Sequence, residues 1–341
     1  MRLLIVISSS AVGGAERRLA EMLPVLRSRG AEVVVASLVS NPPSVVSNEA
    51  GSSMHCVDGV FALRRLARKF RPVAVLTYGR RALYSYLCST FFSPTCPGAT
   101  VMQTGLDHNR RSTIFSFVIR RRGLVPMVIS NSTQAQNLVV GTYGVAPERA
   151  LRLASAISES WMSPIPQREV VGFATVAIVA NGRPEKNLST AFSAYKVVAE
   201  TLPVRLTVYA ADCTMHRQIA DQMGISGVEF TEGKTLSASD FDGIDILLHP
   251  SISESLSRSV LEALSRGVIV VTGDAAEFEG LPQPHQILDD TSVSATTAAL
   301  LAAVREVMSC SWRKQRPEGV EFNSTDLYVQ ILIGSVAAVE S

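Results

Sequence analysis

The sequence has few aromatic residues, no long apolar run and no paired cysteine motif, and each absence excludes a class of protein. Aromatic residues make up 6% and charged residues 18% of the 341 residues. Hydrophobic residues make up 47%, which predicts a globular chain with a large core and about two domains. No apolar run reaches the roughly 18 residues that a membrane span needs. A helical pattern follows the opening apolar run at once, so that run predicts a buried strand and not a signal peptide.

Cysteine and histidine are too scattered to predict a metal site or a disulfide framework. The five cysteines are an odd number without a C-x-x-C pair, and the five histidines have no metal-ligand spacing. We therefore predict no metal and no cofactor, and a reducing cytoplasm as the location.

The net charge of +2 conceals an uneven distribution. Residues 1–165 carry 19 Lys and Arg against 8 Asp and Glu, a net +11, whereas residues 166–341 carry 13 against 22, a net −9. This asymmetry predicts that the first half faces an anionic partner. The segment RRSTIFSFVIRRR (110–122) allows two interpretations: an amphipathic segment on an anionic membrane, or a core-facing helix with solvated charges at its ends. Nucleic acid is not predicted, because no recognition motif or basic–aromatic platform is present.

Short apolar runs alternate with helical patterns through both halves of the sequence. In the first half we predict strands over residues 3–8, 33–39, 73–78, 100–104 and 126–130. In the second half we predict them over residues 174–180, 205–210, 227–230, 244–250 and 268–272. Strands that are apolar throughout and separated by helices indicate parallel sheets covered on both faces. The polar stretch 155–172, with two prolines, is the predicted linker.

The motif with the most candidate ligand-binding groups is SISESLSRSVLEALSRG (251–267), which runs from the end of a predicted strand into a predicted helix. Glu254 lies in the loop and Glu262 about a turn and a half into the helix. The backbone N–H groups of Ser255, Leu256 and Ser257 lie at the helix entrance, where the helix dipole favours an anion. Two interpretations remain: both carboxylates bind a ligand, or Glu254 caps the helix and Glu262 lies on a solvated face.

Two further loops follow predicted strands. In NGRPEKN (181–187), Lys186 and Arg183 could hold a diphosphate, or could be solvated surface charges. In GGAE (13–16), Gly13 and Gly14 could let a ligand approach the backbone closely, or could form an ordinary turn. This loop is not G-x-G-x-x-G, so a dinucleotide fingerprint is not predicted.

Taken in order, these three features resemble the retaining glycosyltransferases of family 4, and the resemblance covers nearly the whole chain. The glycine-rich loop, the P-E-K-N loop and the E-x7-E motif followed by LEALSRGVIVVT all have counterparts in that family, as does the segment VISNSTQAQNLVVGTYGVAPER (128–149). The resemblance implies an α/β fold of the GT-B type, with two Rossmann-like doubly wound parallel-sheet domains facing across a cleft. It implies an acceptor-binding domain at 1–160, a donor-binding domain at 161–325, and a helix at about 326–341 that packs back on the first domain.

The resemblance also implies a role for each site residue. Lys186 and Arg183 hold the donor diphosphate, Glu254 contacts hydroxyls of the donor sugar, and Glu262 holds the ribose hydroxyls. The remaining donor contacts are Ser255, Leu256, Ser257, Gly13, Gly14, Asn181, Gly233 and Lys234. The reaction moves a sugar from a UDP- or GDP-sugar to an acceptor with retention at the anomeric carbon. It requires no metal, because a basic side chain and helix N-termini stabilise the leaving diphosphate.

Several positions depart from the family pattern. The family's G-F-G after the first glutamate is Ser255-Leu256-Ser257 here. Its phosphate arginine aligns with Asn181, unless a shortened loop lets Arg183 replace it. Its first-domain histidine is replaced by Thr104, and the predicted acceptor side comprises Thr104, His108, Arg110 and Arg111.

The leading hypothesis is a hexosyltransferase-type enzyme acting on a lipid-linked, polysaccharide or glycoconjugate acceptor. It would be cytoplasmic, and its basic domain would hold it peripherally on the inner face of the membrane. One alternative, motivated by the departures, is a catalytically impaired homologue that binds a sugar nucleotide or a partner enzyme. The other is a nucleotide-sugar epimerase or hydrolase of the same fold, which would need histidines and carboxylates as acid and base. In the sequence, His108, His249 and His285 form no evident set for that purpose.

Overall fold

The chain divides into two compact units. Unit 1 comprises Met1–Ala156 and Asn323–Ser341, and unit 2 comprises Ile157–Phe322. The computed structural model describes residues 1–8, 14–42, 44–91, 99–103, 113–167, 170, 172–254, 256–273, 278, 281–309, 312–318, 320 and 322–337.

Unit 1 is built around a parallel sheet. Its strands are β1 (Arg2–Ile7), β2 (Glu32–Ser37), β3 (Met54–Cys56), β4 (Ala74–Tyr78), β5 (Ala99–Gln103), β6 (Val128–Ser130) and β7 (Ala150–Arg152). Neighbouring strands pair in parallel in the order β3-β2-β1-β4-β5-β6-β7. Parallel strands need a crossover connection between them, and the helices of the unit supply it.

Helices cover both faces of this sheet because successive side chains of a strand point to opposite sides. In β1, Leu3 and Ile5 belong to one core layer, and Leu4 and Val6 belong to the other. The first layer also contains residues of α1 (Gly14–Ser28), α2 (Ser44–Ala50) and α12 (Thr325–Ala337). The second contains residues of α3 (Gly59–Phe70), α4 (Gly79–Thr90) and α5 (Thr113–Arg120), and α6 (Thr133–Asn137) follows β6.

The helix α12 returns to unit 1 after all of unit 2. It contacts α1, and its residues Tyr328, Val329 and Leu332 are buried in the same core layer as Leu19 and Met22 of α1. Unit 1 therefore buries residues from both ends of the chain in one core.

Unit 2 repeats the architecture. Its strands are β8 (Ala174–Val179), β9 (Val204–Ala210), β10 (Glu229–Glu232), β11 (Ile246–His249), β12 (Ile269–Thr272) and β13 (Gln286–Ile287). All pairs are parallel, in the order β10-β9-β8-β11-β12-β13. The helices are α7 (Leu188–Ala199), α8 (Thr214–Gln222), α9 (Ala238–Asp242), α10 (Arg258–Ser265) and α11 (Val293–Val307).

Both sheets have the doubly wound strand order, in which the third, second, first, fourth and fifth strands of the unit are neighbours. The predicted α/β class with parallel sheets is confirmed. The strand order reverses between β1 and β4 in unit 1 and between β8 and β11 in unit 2. In open sheets of this kind, ligands bind beyond the carboxyl ends of the strands at such a switch point.

The predicted linker differs from the structure in extent. The junction between the units lies at 156/157, at the start of the polar stretch 155–172 and just before the predicted boundary at 160/161. Beyond the junction, Trp161 is buried in unit 2, and the side chain of Arg266 donates to the carbonyls of Ser163 and Pro164. Most of the stretch is therefore held by unit 2. Among the described residues, no helix combines the length and apolar character that a bilayer crossing requires.

We expect the substitution Gly267→Ala to destabilise unit 2 by about 2–4 kcal/mol. Gly267 has a φ of +64°, and an added Cβ would lie 2.6 Å from the backbone nitrogen of Gln315. Urea denaturation followed by tryptophan fluorescence measures the change, because both tryptophans, Trp161 and Trp312, belong to unit 2.

Gly243→Ala is the matched control for this substitution. An added Cβ at Gly243 has no atom within 4 Å, and the φ of −82° suits any residue. We expect a change within about 0.5 kcal/mol there. Equal losses in the two variants would show that the contact with Gln315 is not the cause.

Candidate functional site

The predicted donor residues lie at the switch point of unit 2. Lys186 ends the 3-10 turn Pro184–Lys186, which follows β8, and Glu254 follows β11. These strands are neighbours, so their following loops leave the sheet side by side. The backbone N–H of Ile252 donates to the carbonyl of Glu185 at 2.9 Å, which joins the two loops directly. Residues 68 positions apart in the sequence are thus brought into contact.

Lys186 and Glu254 form an ion pair in which Lys186 Nζ donates to Glu254 Oε1. Their side chains are 10% and 18% exposed. A pair this far removed from water keeps most of its electrostatic attraction, and removing one partner would leave the other charge buried and unpaired. The interpretation of Glu254 as a helix cap is wrong, because its carboxylate bonds to Lys186 and Ser257 occupies the N-cap of α10.

A histidine that the sequence did not connect with the site lies beside this pair. His249, the last residue of β11, is 2% exposed, and its Nε2 lies 3.7 Å from Glu254 Oε1. His249 Nε2 also shares a hydrogen bond with Ser251 Oγ at 3.0 Å. Its position at the carboxyl end of a strand, five residues before Glu254, was the available signal. The spacing among the histidines could not reveal it.

The pKa values of these groups depart from their ordinary range for identifiable reasons. Burial disfavours ionisation of Glu254, but the interaction with His249 and the charge of Lys186 outweigh it and lower the pKa of Glu254 to about 2. Burial, aided by the charge of Lys186, lowers the pKa of His249, although Glu254 opposes this. At neutral pH Glu254 is therefore a carboxylate and His249 a neutral imidazole.

Asn187 fixes the loop that carries Lys186. Its backbone is left-handed, with φ 53° and ψ 44°, which asparagine tolerates better than most residues. Its side-chain Nδ2 donates to the carbonyl of Thr291 at 3.1 Å. This residue ends the P-E-K-N loop and begins α7, so the turn geometry sets the direction in which Lys186 leaves the backbone.

Glu262 is completely buried, so the interpretation as a solvated face residue is wrong. Its Oε1 accepts a hydrogen bond from Arg258 Nε at 2.8 Å, one helical turn earlier on α10. Arg258 is itself 7% exposed. The sequence could not separate these interpretations, because the pattern of α10 does not show that all of its residues from Val260 to Ser265 are buried.

Several of the other predicted donor residues have partners other than Lys186 and Glu254. Arg183 is largely exposed and pairs with Glu185 at 3.2 Å. Asn181 Oδ1 accepts from the backbone N–H of Ala211 at 3.1 Å, and Lys234 pairs with Asp240. Leu256 and Ser257 are buried just before α10. Gly233 follows β10 and has a φ of +65°. Gly14 is the first residue of α1 and is exposed.

Six predicted residues lie outside the described residues: Gly13, Ser255, Thr104, His108, Arg110 and Arg111. Their roles stay predictions.

The arrangement can bind an anion and a polyol together. A lysine side chain can donate three hydrogen bonds, and the described residues show one from Lys186, to Glu254, so oxygens of a phosphate could be further acceptors. The Glu254 carboxylate can accept from sugar hydroxyls. Within the described ranges, no three or more His, Cys, Asp or Glu side chains are grouped to hold a metal ion.

Comparison with known proteins finds a family model that matches part of unit 2. Residues 174–309 match the family model of the glycosyl transferases group 1. This group 1 region contains Lys186, Glu254 and Glu262. No curated protein matches the chain.

Solved structures match the chain over its whole length. A glycosyltransferase from Rickettsia africae is 11% identical, with a TM-score of 0.78, and 100% of this chain and 98% of that chain are covered. HepE from Anabaena, in complex with UDP-glucose, is 13% identical, with a TM-score of 0.73 and coverages of 99% and 100%. A putative UDP-N-acetylglucosamine 2-epimerase from Listeria monocytogenes is 12% identical, with a TM-score of 0.63 and coverages of 99% and 96%. The predicted GT-B fold is confirmed, and the proteins of this fold include transferases and the putative epimerase.

The Lys186–Glu254 pair makes a pH-dependent contribution to stability. The pKa of Glu254 falls from an unfolded value near 4.3 to about 2. The carboxylate therefore stabilises the fold above about pH 4.5, and this contribution is lost as the pH falls towards 2. We expect Glu254→Gln to cost on the order of 3 kcal/mol at pH 7, and to cost progressively less between pH 5 and pH 3.

Urea denaturation of the wild type and Glu254→Gln at several pH values, with tryptophan fluorescence as the probe, measures this difference. Glu185→Gln is the control, since that carboxylate lies in the neighbouring loop but is 41% exposed. A Glu254→Gln deficit that stays constant with pH would contradict the ion-pair assignment.

Proposed function

We propose that the chain is a glycosyltransferase that moves a sugar from a nucleoside-diphosphate sugar to an acceptor, with the donor bound at Lys186 and Glu254. The observation that carries the proposal is the buried ion pair of these residues, at the switch point of a unit that matches the group 1 glycosyltransferases. We propose a UDP-sugar as donor because HepE, which has the same fold, was solved with UDP-glucose.

Each group of the site has a role in this reaction. Lys186 supplies positive charge to the diphosphate, and this charge counts most as the bond to the sugar breaks and negative charge builds on the leaving group. Glu254 exchanges part of its bond to Lys186 for hydroxyls of the donor sugar, and so orients the anomeric carbon. The neutral side chain of His249 lies beside Glu254 and limits the movement of the Glu254 carboxylate. We propose retention at the anomeric carbon from the family resemblance.

Glu262 is proposed to hold the ribose hydroxyls of the nucleotide. Its bond to Arg258 fixes the carboxylate in a buried position on α10. A fixed acceptor binds a diol with little loss of side-chain entropy.

We expect one nucleoside-diphosphate sugar, UDP-linked, to raise the unfolding temperature of the purified protein saturably. Lys186→Ala should weaken its binding roughly 10- to 100-fold, because a charge-assisted hydrogen bond to the diphosphate is lost. Glu254→Gln should reduce transfer by roughly 100-fold or more while weakening binding less.

A panel of UDP-, GDP- and ADP-sugars in a thermal-shift assay, followed by product analysis with glycan acceptors, measures both effects. Glu185→Gln is again the matched control and should behave as the wild type. Wild-type transfer by both Lys186→Ala and Glu254→Gln would refute the site.

The acceptor side is proposed to face an anionic membrane. The basic unit 1 presents α5 with Phe115 and Ile119 in the core, but with Ile114 and Phe117 exposed by 70% and 57%. The guanidinium of Arg121 lies 4.4 Å from the centre of the Phe117 ring. Apolar side chains beside arginines are typical of a helix that lies in a lipid interface. A lipid-linked acceptor at the cytoplasmic face fits this surface.

We expect the protein to bind vesicles that contain phosphatidylglycerol and not vesicles of phosphatidylcholine alone. The double substitution Ile114→Ser/Phe117→Ser should weaken that binding roughly tenfold or more, because two apolar side chains no longer insert. Vesicle co-sedimentation measures it, with the exposed Val197→Ser of unit 2 as control. Unchanged binding in the double variant would exclude α5 as the membrane contact.

A second candidate is an epimerase or hydrolase of the same fold. His249 beside Glu254 gives a histidine–carboxylate pair of the kind that this chemistry uses, and an epimerase is among the proteins of the same fold. Incubation with the donor alone separates the candidates: an epimerised sugar, or free sugar at the rate of transfer, would favour this alternative. Donor binding without any turnover would favour the catalytically impaired homologue.

A further inference from the structure

Unit 1 has a buried cation at its own switch point. Arg18 lies in α1, which follows β1, and Tyr78 is the last residue of the neighbouring strand β4. β1 and β4 are the first and fourth strands of unit 1, as β8 and β11 are of unit 2, although Lys186 lies before its helix and Glu254 lies beyond the end of its strand. The sequence analysis did not single out Arg18.

Arg18 is 3% exposed and incompletely hydrogen-bonded. Its Nη1 donates to Ser155 Oγ at 2.9 Å, and its guanidinium carbon lies 5.6 Å from the centre of the Tyr328 ring. Its Nε and Nη2 have no hydrogen-bond partner among the described residues. Burying a guanidinium whose donors are not all hydrogen-bonded costs free energy.

Two buried tyrosine hydroxyls next to the guanidinium also lack a well-aligned hydrogen bond. The hydroxyl oxygens of Tyr78 and Tyr328 make no well-aligned hydrogen bond in the described part of the chain, although the Tyr78 hydroxyl lies near enough to Arg18 to interact with it. Burial raises the pKa of both tyrosines, and the nearby charge of Arg18 opposes the shift in each. Both hydroxyls are therefore protonated donors that lie close to the cation.

Glu16, on the same helix, is not positioned to neutralise Arg18. Glu16 lies near enough to affect Tyr78, but it precedes Arg18 by two positions on α1, and residues so spaced do not face each other on a helix. Among the described residues, Arg18 has no ion pair, whereas Lys186 has one with Glu254. Buried polar groups in native proteins nearly always have a hydrogen-bond partner, so a cluster of buried donors calls for an acceptor such as an anion.

We propose that Arg18, Tyr78 and Tyr328 form an oxyanion site in unit 1, and that its ligand is a phosphate group of the acceptor. The guanidinium offers two adjacent nitrogens to two oxygens of the phosphate, and the tyrosine hydroxyls donate to the remaining oxygens. Tyr78 and Glu16 are only partly buried, and Tyr78 lies at the carboxyl end of β4. The assignment to the acceptor rests on the proposed transferase function, but anion binding itself does not.

Isothermal titration calorimetry with inorganic phosphate, at constant ionic strength and pH 7, tests the site in the full-length chain. We expect saturable binding that Arg18→Met weakens at least tenfold, whereas Arg65→Met, which removes an exposed arginine of the same unit, has no effect. Lys186→Ala distinguishes this site from the donor site and should retain the Arg18-dependent binding. Acetate, titrated in the same way, should bind more weakly than phosphate, since a carboxylate has only two oxygens for four donor groups.

Two further variants separate binding from folding. Tyr328→Phe removes one hydroxyl and should weaken phosphate binding several-fold without lowering the unfolding temperature. Glu16→Gln removes a nearby negative charge and should tighten phosphate binding. Arg18→Met should unfold at the wild-type temperature or above, because an unpaired buried charge is replaced by an apolar side chain.

The proposal is overturned by the absence of phosphate binding in the wild type, or by equal binding in the wild type, Arg18→Met and Tyr328→Phe. It is also overturned if Glu16→Gln unfolds at a lower temperature and Arg18→Met/Glu16→Gln restores stability, since Glu16 would then be the counter-ion. Failure of donor binding would refute the proposed function and leave phosphate binding at Arg18 intact.

Discussion

Parallel strand pairing is the constraint on which the rest of this structure depends. Because every observed strand pair is parallel, all strands of a sheet end at the same edge, and the loops that follow neighbouring strands emerge together. In unit 2 this brings Lys186 and Glu254 into contact, and the backbone bond from Ile252 to Glu185 holds their loops in register. In unit 1 the same geometry brings Arg18 to Tyr78. The proposed site of each unit thus lies where its strand order reverses.

The buried cations at the two switch points have different kinds of partner. In unit 2 the cation has its own carboxylate, so the site is stable when empty, and a ligand must share Lys186 with Glu254. In unit 1 the cation has hydroxyls and one serine but no carboxylate among the described residues, so a ligand there would complete a set of hydrogen bonds instead of competing for one. Such a site lowers the stability of the free protein and raises its affinity for an anion.

The α/β class and the central strands could be predicted from the sequence, because runs such as 174–179 and 204–210 are apolar and long enough to show a pattern. The sequence was not sufficient for β3, β7 and β13, which have only two or three residues each. The separation of Glu254 and Glu262 pointed to the site, but only the fold shows that Lys186 reaches Glu254 and that Glu262 is buried. His249 and Arg18 belong to no sequence motif used here, since a polar residue within an apolar strand or an amphipathic helix gains its meaning from its neighbours in space.

The return of α12 to unit 1 has a consequence for biosynthesis. Tyr328, Val329 and Leu332 complete a core layer whose other members come from the first 156 residues. On the ribosome, unit 2 is a continuous segment whose residues are all available before residue 325 is made, whereas unit 1 must wait with an open apolar face until α12 emerges. The second unit in the sequence is therefore the first that can be finished. During that interval, the nascent unit 1 exposes the side of α1 that α12 later covers, which makes it a natural target for a chaperone that binds apolar surface.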